Sequence, residues 1–511
     1  MVDGRLSKPT GTAFRAAHCV RRRRLKPHRC FDDREKGVQV TKEFDFDSFI
    51  DRENTESLKW DARERRGYPE TVLPMWVADM DHRTAPAVVR ALHERVAHGI
   101  FGYTSPDASY FEAVASWQSR RFGWEVDPMS IVAAGGVIPA LTHAVRAFTE
   151  PGDGVVIEEP VYYPFRSIVE NNGRTAVNAP LVRNGQGRYI RDFAVLEATF
   201  VASGARTMIL CNPHNPVGRV WTREELLGLA DLAAKLDVLV LADEIHADLT
   251  YPGIRTTPFS SLPGMSNRTV TFTSPSKSFN LAGLQLANIV VPDRKRRQDF
   301  IRESNAAGYS EPNALGLAAC RAAYNEGEEW LDAFREHMAE NLEFLAAALE
   351  GIDGIELVEP EGTYLPWLDC RKLIHNLGIE AGELDEFMVN EADLWLDDGA
   401  IFGDEGLGYT RINIACPRST LKEAVDRLRR AVEAQSVSDE PTSAPATATF
   451  ETAAFETASI DSEASAGSEA PDDSGATADS ASPTDAEAPG DPQEASQTRQ
   501  DEDAERAERD S

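Results

Sequence analysis

Short apolar runs alternate with helical patterns through the central part of this 511-residue chain, and this alternation limits the possible folds most strongly. Runs rich in β-branched residues lie at positions 131–134, 154–157, 207–210, 238–241, 269–272 and 287–291. Nearly continuous apolar runs are typical of strands buried on both faces, as in a parallel sheet with helices on each side. One helical stretch, 222–236, opens with Thr222 and has Glu225 three residues later, the pattern of a capping box. The sequence therefore predicts an α/β fold with a mostly parallel central sheet and helices on both faces.

The pattern changes after residue 311. A helical stretch that includes 341–349 is followed by strand-like runs at 354–358 and 363–368, which indicates a second, smaller α/β unit. No internal repeat of solenoid period is present in the sequence. We expect a disordered basic leader (1–40), an N-terminal arm that joins the small domain (41–80), a large domain that contains the predicted sheet (81–312), a small C-terminal domain (313–435) and a disordered acidic tail (436–511).

The net charge of −31 is unevenly distributed along the chain. Residues 436–511 carry a net charge of −17, residues 1–40 carry +7, and the remaining body carries −21. An acidic body argues against a nucleic-acid partner. The tail consists largely of Ala, Ser, Thr, Pro, Asp and Glu, so it cannot bury enough apolar surface to offset its chain entropy. We expect a solubilising tail, with an acidic interaction segment as the alternative.

The leader and the cysteines bear on localisation. Four consecutive arginines at 21–24 are compatible with nucleic-acid binding or export, but no apolar segment of a signal peptide follows them. An inert arm, or residues upstream of the true start codon, fits the leader equally well. The cysteines at 19, 30, 211, 320, 370 and 416 form no CxxC pair and no zinc spacing, which predicts no metal site and a reducing cytoplasm. No apolar run reaches the roughly 18 residues of a membrane span, so no membrane partner is expected.

Three polar residues follow predicted strands in a chemically meaningful order. Lys277 lies 34 residues after Asp243, and Asp243 lies 28 residues after Asn215. The carboxyl ends of parallel strands are where open α/β sheets bind ligands. A lysine amine that condenses with an aldehyde, a carboxylate that holds a pyridinium proton, and an amide for a phenolic oxygen are what pyridoxal phosphate requires. The sequence therefore predicts pyridoxal 5'-phosphate as the cofactor.

The order of these residues resembles the fold-type I pyridoxal phosphate enzymes of the aspartate aminotransferase (class I/II) superfamily. The resemblance extends from Phe44 to near Ala434. Within the superfamily, Met-Trp-Val-Ala-Asp-Met-Asp at 75–81, Phe-Gly-Tyr-Thr at 101–104, Asp-Glu-Ile-His-Ala-Asp-Leu at 243–249 and Arg-Ile-Asn-Ile-Ala-Cys-Pro-Arg at 411–418 are similar to the MalY/PatB branch. Members of that branch are cystathionine β-lyases, also called cysteine-S-conjugate β-lyases.

Several residues are expected to hold the phosphate and the ring of the cofactor. The glycine turn before a helix predicts that backbone N–H groups of Gly136, Val137 and Ile138 bind the phosphate. The resemblance implies that the hydroxyls of Ser274 and Ser276 bind it too. It also implies that Tyr162 stacks on the pyridine ring, with Tyr163 as the adjacent alternative, and that His246 lies near the phenolic oxygen, where transaminases have a tyrosine.

The resemblance also implies a substrate site and a dimer. Arg411 matches the arginine that grips the substrate α-carboxylate, for which a guanidinium fork is suited. Ala78 and Asp79 match positions that line the substrate pocket. Tyr103 matches a tyrosine that reaches the phosphate of the neighbouring subunit, so a homodimer is expected. The branch usually has an aromatic residue where this chain has His82, which predicts a difference in side-chain selectivity.

The resemblance implies a carbon–sulfur β-lyase that cleaves L-cystathionine or related cysteine S-conjugates to a thiol, pyruvate and ammonia. Gln285 stands where aminotransferases usually have an arginine eight residues after the lysine, a departure that favours the lyase. One alternative is an aminotransferase that uses the same lysine, aspartate and arginine. A second alternative, from another functional class, is a regulatory protein-binding role carried on the same fold.

Overall fold

The computed structural model describes residues 44–309 and 311–437. The expectations for the basic leader, for the acidic tail beyond residue 437, and for the cysteines at positions 19 and 30 lie outside the described residues. Within them, the division into an arm, a large domain and a small domain remains a prediction.

Helices and strands alternate through most of the described residues. The α-helices are α1 (Leu58–Asp61), α2 (Pro86–His98), α3 (Ala108–Phe122), α4 (Val137–Phe148), α5 (Pro164–Glu170), α6 (Phe193–Ser203), α7 (Arg223–Leu236), α8 (Pro275–Ser278), α9 (Arg294–Ala306), α10 (Ala314–Glu326), α11 (Glu328–Leu349), α12 (Arg371–Leu377), α13 (Leu384–Asn390) and α14 (Arg418–Val437). The strands are β1 (Leu73–Pro74), β2 (Ile131–Ala134), β3 (Gly154–Ile157), β4 (Thr175–Asn178), β5 (Val182–Arg183), β6 (Tyr189–Ile190), β7 (Thr207–Cys211), β8 (Leu239–Asp243), β9 (Thr269–Thr273), β10 (Ala287–Val290), β11 (Glu356–Val358), β12 (Trp367–Asp369), β13 (Leu394–Trp395), β14 (Asp397–Asp398) and β15 (Tyr409–Arg411). Short 3₁₀ helices lie at Glu64–Arg66, Pro128–Ser130, Phe259–Ser261, Ser266–Arg268, Ala282–Leu284, Ala381–Glu383, Gly399–Phe402 and Asp404–Gly406.

The larger sheet has seven strands in the order β2-β10-β9-β8-β7-β3-β4. Strand β10 is antiparallel to both β2 and β9, whereas the other neighbours pair in parallel. All six strands expected from the apolar runs are present, and the mostly parallel sheet is confirmed. The sequence reasoning missed β4, which lies at the edge of the sheet and is not fully buried.

Burial explains why the central strands were readable from sequence. Every residue of β7, β8 and β9 is buried, because helices cover both faces of the sheet at these strands. The expected capping box begins α7: Thr222 Oγ1 accepts from Glu225 N at 3.2 Å, and Glu225 Oε2 accepts from Thr222 N at 2.9 Å. In the register of β7 with β8, Cys211 lies beside Asp243, so both strands end at the same edge of the sheet.

A second, antiparallel sheet lies in the C-terminal part of the chain. Its four strands have the order β11-β12-β15-β14, and α11 packs against α14 nearby. The N-terminal segment reaches this region, because β1 pairs in parallel with β13 through Leu73 and Leu394. This pairing supports the prediction that an N-terminal arm joins the small C-terminal unit.

Two features are absent from residues 44–309 and 311–437. None of the helices in these ranges is both long and apolar enough to cross a membrane. The same residues contain no group of three or more His, Cys, Asp or Glu side chains that could hold a metal ion.

Candidate active site

A cavity of about 330 Å³ opens at the carboxyl edge of the seven-stranded sheet. It lies beside the ends of β2, β7 and β8 and beside the N-termini of α4 and α8. Predicted site residues that line it are Ala78, Gly136, Val137, Ile138, Tyr162, Asn215, Asp243, His246, Ser276 and Lys277. The structure thus brings most of the expected cofactor residues into one enclosed space, although Ala78 and Lys277 are 199 positions apart in the chain.

Lys277 lies on α8, a single helical turn. Ser274 caps this turn by accepting from Ser276 N at 3.0 Å, and Pro275 fills the first helical position, where no N–H is needed. Lys277 Nζ donates to Ala78 O at 2.7 Å. Burial, reinforced by the positive charge of Arg411, lowers the pKa of the Lys277 amine to about 8. The neutral, nucleophilic form of the amine is therefore more populated near neutral pH than in an ordinary lysine.

Asp243 is the last residue of β8 and is almost completely buried. Its Oδ1 accepts from Ile245 N at 3.1 Å, and burial raises the pKa of its carboxyl to about 7. A buried carboxylate of this kind binds a protonated nitrogen strongly, since a positive partner offsets the desolvation of the charge.

His246 and Asn215 present polar atoms beside Asp243. His246 Nδ1 is buried and has no hydrogen-bond partner among the described residues, and burial holds the pKa of this ring well below its usual range. The Asn215 side chain accepts from Arg411 Nη1 at 2.8 Å, which leaves its amide nitrogen available. An unpartnered buried nitrogen is unfavourable in an empty cavity and favourable when a ligand supplies the missing hydrogen bond.

The start of α4 also lines the cavity. Its N-cap residue, Gly136, has φ +136°, and the N–H groups of Val137 and Ile138 belong to the first turn, where no intrahelical acceptor is available. Gly135 is required by packing, because a Cβ there would lie 2.7 Å from the Tyr309 ring. Ser276 lines the cavity, whereas the Ser274 hydroxyl donates to Leu286 O at 2.6 Å and does not line it.

Of the three expected substrate residues, Ala78 lines the cavity, whereas Arg411 and Asp79 do not. Arg411 is buried, and its Nη2 donates to Trp76 O at 3.3 Å. Ala78 contributes its carbonyl oxygen, which also accepts from Tyr364 Oη at 3.0 Å. The Asp79 side chain is held in a bidentate ion pair by Arg52, at 2.7 and 3.0 Å, and does not line the cavity.

The aromatic positions singled out in the sequence differ in their placement. Tyr162 lines the cavity, whereas its neighbour Tyr163 does not. The Tyr103 side chain is 96% exposed and lies over a second depression that shares Gly135 and Gln285 with the cavity. His82 lies in a buried aromatic cluster and does not line the cavity. Its predicted effect on selectivity is therefore not supported by a direct contact with the cavity.

Sequence reasoning missed several residues of the site. Gly135, Pro139, Cys211, Ile245 and Ala282 also line the cavity. Cys211 is buried, and its position at the end of β7 was a signal that it could face the site. Asp397 forms a buried ion pair with Arg411 Nη2, and its only sequence signal was an acidic residue directly after an apolar run.

Comparisons with known proteins agree with this geometry. The profile of the family "Aminotransferase class I and II" matches residues 71–428. Cystathionine β-lyase PatB of Bacillus subtilis (strain 168) is 41% identical over 389 residues, which cover 76% of this chain and 99% of PatB. Protein MalY of Escherichia coli (strain K12) is 34% identical over 394 residues, with 76% and 99% coverage. The crystal structure of the PLP-bound C–S lyase from Staphylococcus hominis matches with a TM-score of 0.71 at 32% identity, covering 76% of this chain and 99% of that one.

The chain therefore belongs to the aminotransferase class I and II family. The resemblance to the fold-type I enzymes and to the MalY/PatB branch is confirmed.

Proposed function

We propose that the protein is a pyridoxal phosphate-dependent carbon–sulfur β-lyase that cleaves L-cystathionine or related cysteine S-conjugates to a thiol, pyruvate and ammonia. The proposal rests on one observation: Lys277 and Asp243 line the same buried cavity. Arg411 is hydrogen-bonded to Asn215, which also lines this cavity. The name of the relative PatB, a cystathionine β-lyase, supports the reaction type.

The residues around the cavity fit pyridoxal phosphate as the cofactor. The start of α4 and Ser276 would hold the phosphate, and Tyr162 would cover one face of the ring. Asp243 would hold the ring nitrogen, and His246 with Asn215 would lie near the phenolic oxygen. The buried, unpartnered Nδ1 of His246 supports this fit, because the bound cofactor brings polar atoms to that part of the cavity.

The bound cofactor supplies an electron sink for the negative charge that develops at the substrate Cα. Lys277 Nζ takes the proton from Cα, a role that its pKa of about 8 suits near neutral pH. Asp243 keeps a proton at the ring nitrogen, because its buried carboxylate gains most from a positive partner. Arg411 orients the α-carboxylate, so that the Cα–H bond faces Lys277. The sulfur then leaves Cβ as a thiolate.

An aminotransferase remains the alternative, since the family description itself names that activity. Both reactions begin with the same proton transfer at Cα. Gln285 lines the cavity at a position where aminotransferases usually have an arginine, and this favours the lyase. Pyruvate release from cystathionine without any added keto acid is expected for the lyase, whereas an aminotransferase would require the keto acid.

The lysine assignment is tested by comparing Lys277→Ala with Lys372→Ala. Lys372 lies on α12, is exposed and pairs with Asp353. Its replacement by alanine removes one amine away from the cavity and is therefore a matched control. We expect Lys277→Ala to lose pyruvate release by several orders of magnitude while still retaining the cofactor non-covalently, because the phosphate and ring contacts do not depend on the amine. Lys372→Ala should behave as the wild type. Near-normal turnover of Lys277→Ala contradicts the proposed mechanism.

The proposed active form is a cytoplasmic homodimer in which Tyr103 reaches the phosphate of the neighbouring subunit. Consecutive apolar side chains around it are exposed, namely Ile100 (65%) and Phe101 (59%), as expected of an interface. Four buried free cysteines support a reducing compartment. Tyr103→Phe should weaken cofactor affinity by about ten- to a hundred-fold, the effect of losing one hydrogen bond to a charged group.

Subunit mixing tests whether Tyr103 acts across the interface. Inactive Lys277→Ala and inactive Tyr103→Ala dimers are mixed, and exchange is verified by mass. Hybrid dimers should contain one site with both lesions and one with neither, so part of the activity returns. Verified exchange without any recovery of activity shows that Tyr103 does not act across the interface.

A further inference from the structure

Arg411 and Asp397 face each other across two antiparallel strands. The register of β14 with β15 pairs these two residues directly, and the carboxylate Oδ2 accepts from Arg411 Nη2. Both side chains are buried, at 4% and 7% exposure. Charge-assisted hydrogen bonds between buried groups are stronger than those in water. The arginine expected to bind the substrate α-carboxylate thus already holds a carboxylate of its own chain.

The other hydrogen bonds of Arg411 show that the contact with Asp397 obstructs bidentate binding of a second carboxylate. Nη1 donates to Asn215 Oδ1 at 2.8 Å, and Nη2 also donates to Trp76 O at 3.3 Å. Nε is buried and has no partner among the described residues. A carboxylate can bind a guanidinium in parallel fashion through Nη1 and Nη2 or through Nε and Nη2. Both arrangements need Nη2, and the contacts with Asp397 and Trp76 use both of its hydrogens.

We propose that Asp397 is a positioning residue that competes with the substrate α-carboxylate for Arg411 and thereby sets the affinity of the site. A bidentate substrate carboxylate must displace Asp397 from Nη2 or share that nitrogen with it. The same competition loosens the hold on pyruvate, since the product also carries a carboxylate. The inference rests on the proposed role of Arg411.

Asp397→Asn separates the charge of this residue from its shape. The amide keeps an oxygen that can accept from Nη2 and removes the competing negative charge. Asn215 and Trp76 O still hold the guanidinium, so its position is preserved. Asp398→Asn is the matched control: this carboxylate is the next residue of β14, and it accepts from Ala400 N at 3.1 Å instead of contacting Arg411.

The first measurement is steady-state kinetics of the holoenzyme with cystathionine. Asp397→Asn should lower KM by about ten-fold, the effect of one charge-assisted hydrogen bond, and should not raise kcat. Asp398→Asn should leave both constants unchanged. Asp397→Ser, which also lacks the charge, should lower KM in the same direction and replaces the Asn variant if that variant does not fold.

The second measurement does not depend on turnover. The thermal unfolding of the cofactor-free protein is followed with sodium acetate and with sodium chloride at equal ionic strength. Acetate should raise Tm more in Asp397→Asn than in the wild type, and this specific rise should be absent in Arg411→Ala. An unchanged or higher KM together with an unchanged acetate effect in both Asp397 variants overturns the proposal. If instead Arg411→Ala leaves KM and the acetate effect unchanged, the role of Arg411 in the proposed function fails.

Discussion

Replacing Asp243 with Asn is expected to stabilise the cofactor-free protein while weakening its hold on pyridoxal phosphate. Burial at the end of β8 raises the pKa of this carboxyl from 3.8 to about 7. The folded protein therefore binds the proton more tightly than the unfolded chain does. The stability that comes from this difference is complete below the ordinary pKa and is lost as the pH rises through the folded-state pKa.

The magnitude follows from the size of the shift. A rise of about three pKa units corresponds to about 4 kcal/mol of unfolding free energy, lost between about pH 4 and pH 7. Asn has no proton to lose, and its oxygen can still accept from Ile245 N. Near pH 8 the unfolding free energy of the variant should therefore exceed that of the wild type by about 4 kcal/mol. For a folded region of this size this difference corresponds to about 5 °C in Tm.

The assay is thermal unfolding of both cofactor-free proteins over a pH series. The two Tm values should coincide near pH 4 and diverge as the pH rises to about 7. Added pyridoxal phosphate should reverse the order, because the wild type gains a charged contact to the ring nitrogen that the variant lacks. A wild-type Tm that stays parallel to that of the variant across the series would refute the reasoning.

Asp81 offers a matched control with the opposite sign. Burial acts to raise the pKa of Asp81. Lys59, with help from Trp60 and Arg52, nevertheless holds this pKa below its usual range. Its carboxylate thus contributes stability that is present above the ordinary pKa and lost as the pH falls. Asp81→Asn should therefore destabilise the protein near pH 8, where Asp243→Asn stabilises it.

Three further predictions concern other parts of the fold. Lys59→Met should lower the unfolding free energy by about 3 kcal/mol in a urea titration, because it leaves the Asp81 carboxylate with less compensation in a buried site; an unchanged midpoint would contradict this. Gly399→Ala should destabilise by about 1–3 kcal/mol or fail to fold, since its Cβ would overlap the backbone oxygen of Gly406; wild-type stability would show that the loop can move freely. The four described cysteines should resist a thiol reagent in the native protein, read by peptide mass spectrometry, because burial raises the pKa of each thiol.

The fold could be predicted where local sequence and burial agree. Strands such as β7 and β8 are buried along their whole length, so their apolar runs were visible without any long-range information. The edge strand β4 was missed because its residues are partly exposed and carry no such run. The reversed direction of β10 was also invisible, since strand direction depends on how the chain crosses the sheet and not on the composition of the strand.

The same distinction between local and long-range information applies to the residues of the site. That Lys277 and Asp243 would meet in one cavity could be predicted, because both follow strands whose carboxyl ends lie at the same edge of the sheet. Asp397 could not, because its contact with Arg411 depends on the cross-strand register of β14 with β15. Nor could the sequence show that Arg52 occupies the Asp79 carboxylate, since the two residues are 27 positions apart and belong to no common helix or strand.

The two central residues of the cavity differ from several other buried charges in having no close ion pair. Lys59 pairs with Asp81 at 2.7 Å and Arg191 pairs with Glu158 at 2.5 Å. Among the described residues, Lys277 and Asp243 have no such ion pair, although both are enclosed. Unpaired burial destabilises the folded state and shifts each pKa towards neutrality. This destabilisation occurs where a ligand with a phosphate, an aldehyde and a basic nitrogen would relieve it. Cofactor binding is therefore expected to be coupled to the stability of the cavity walls.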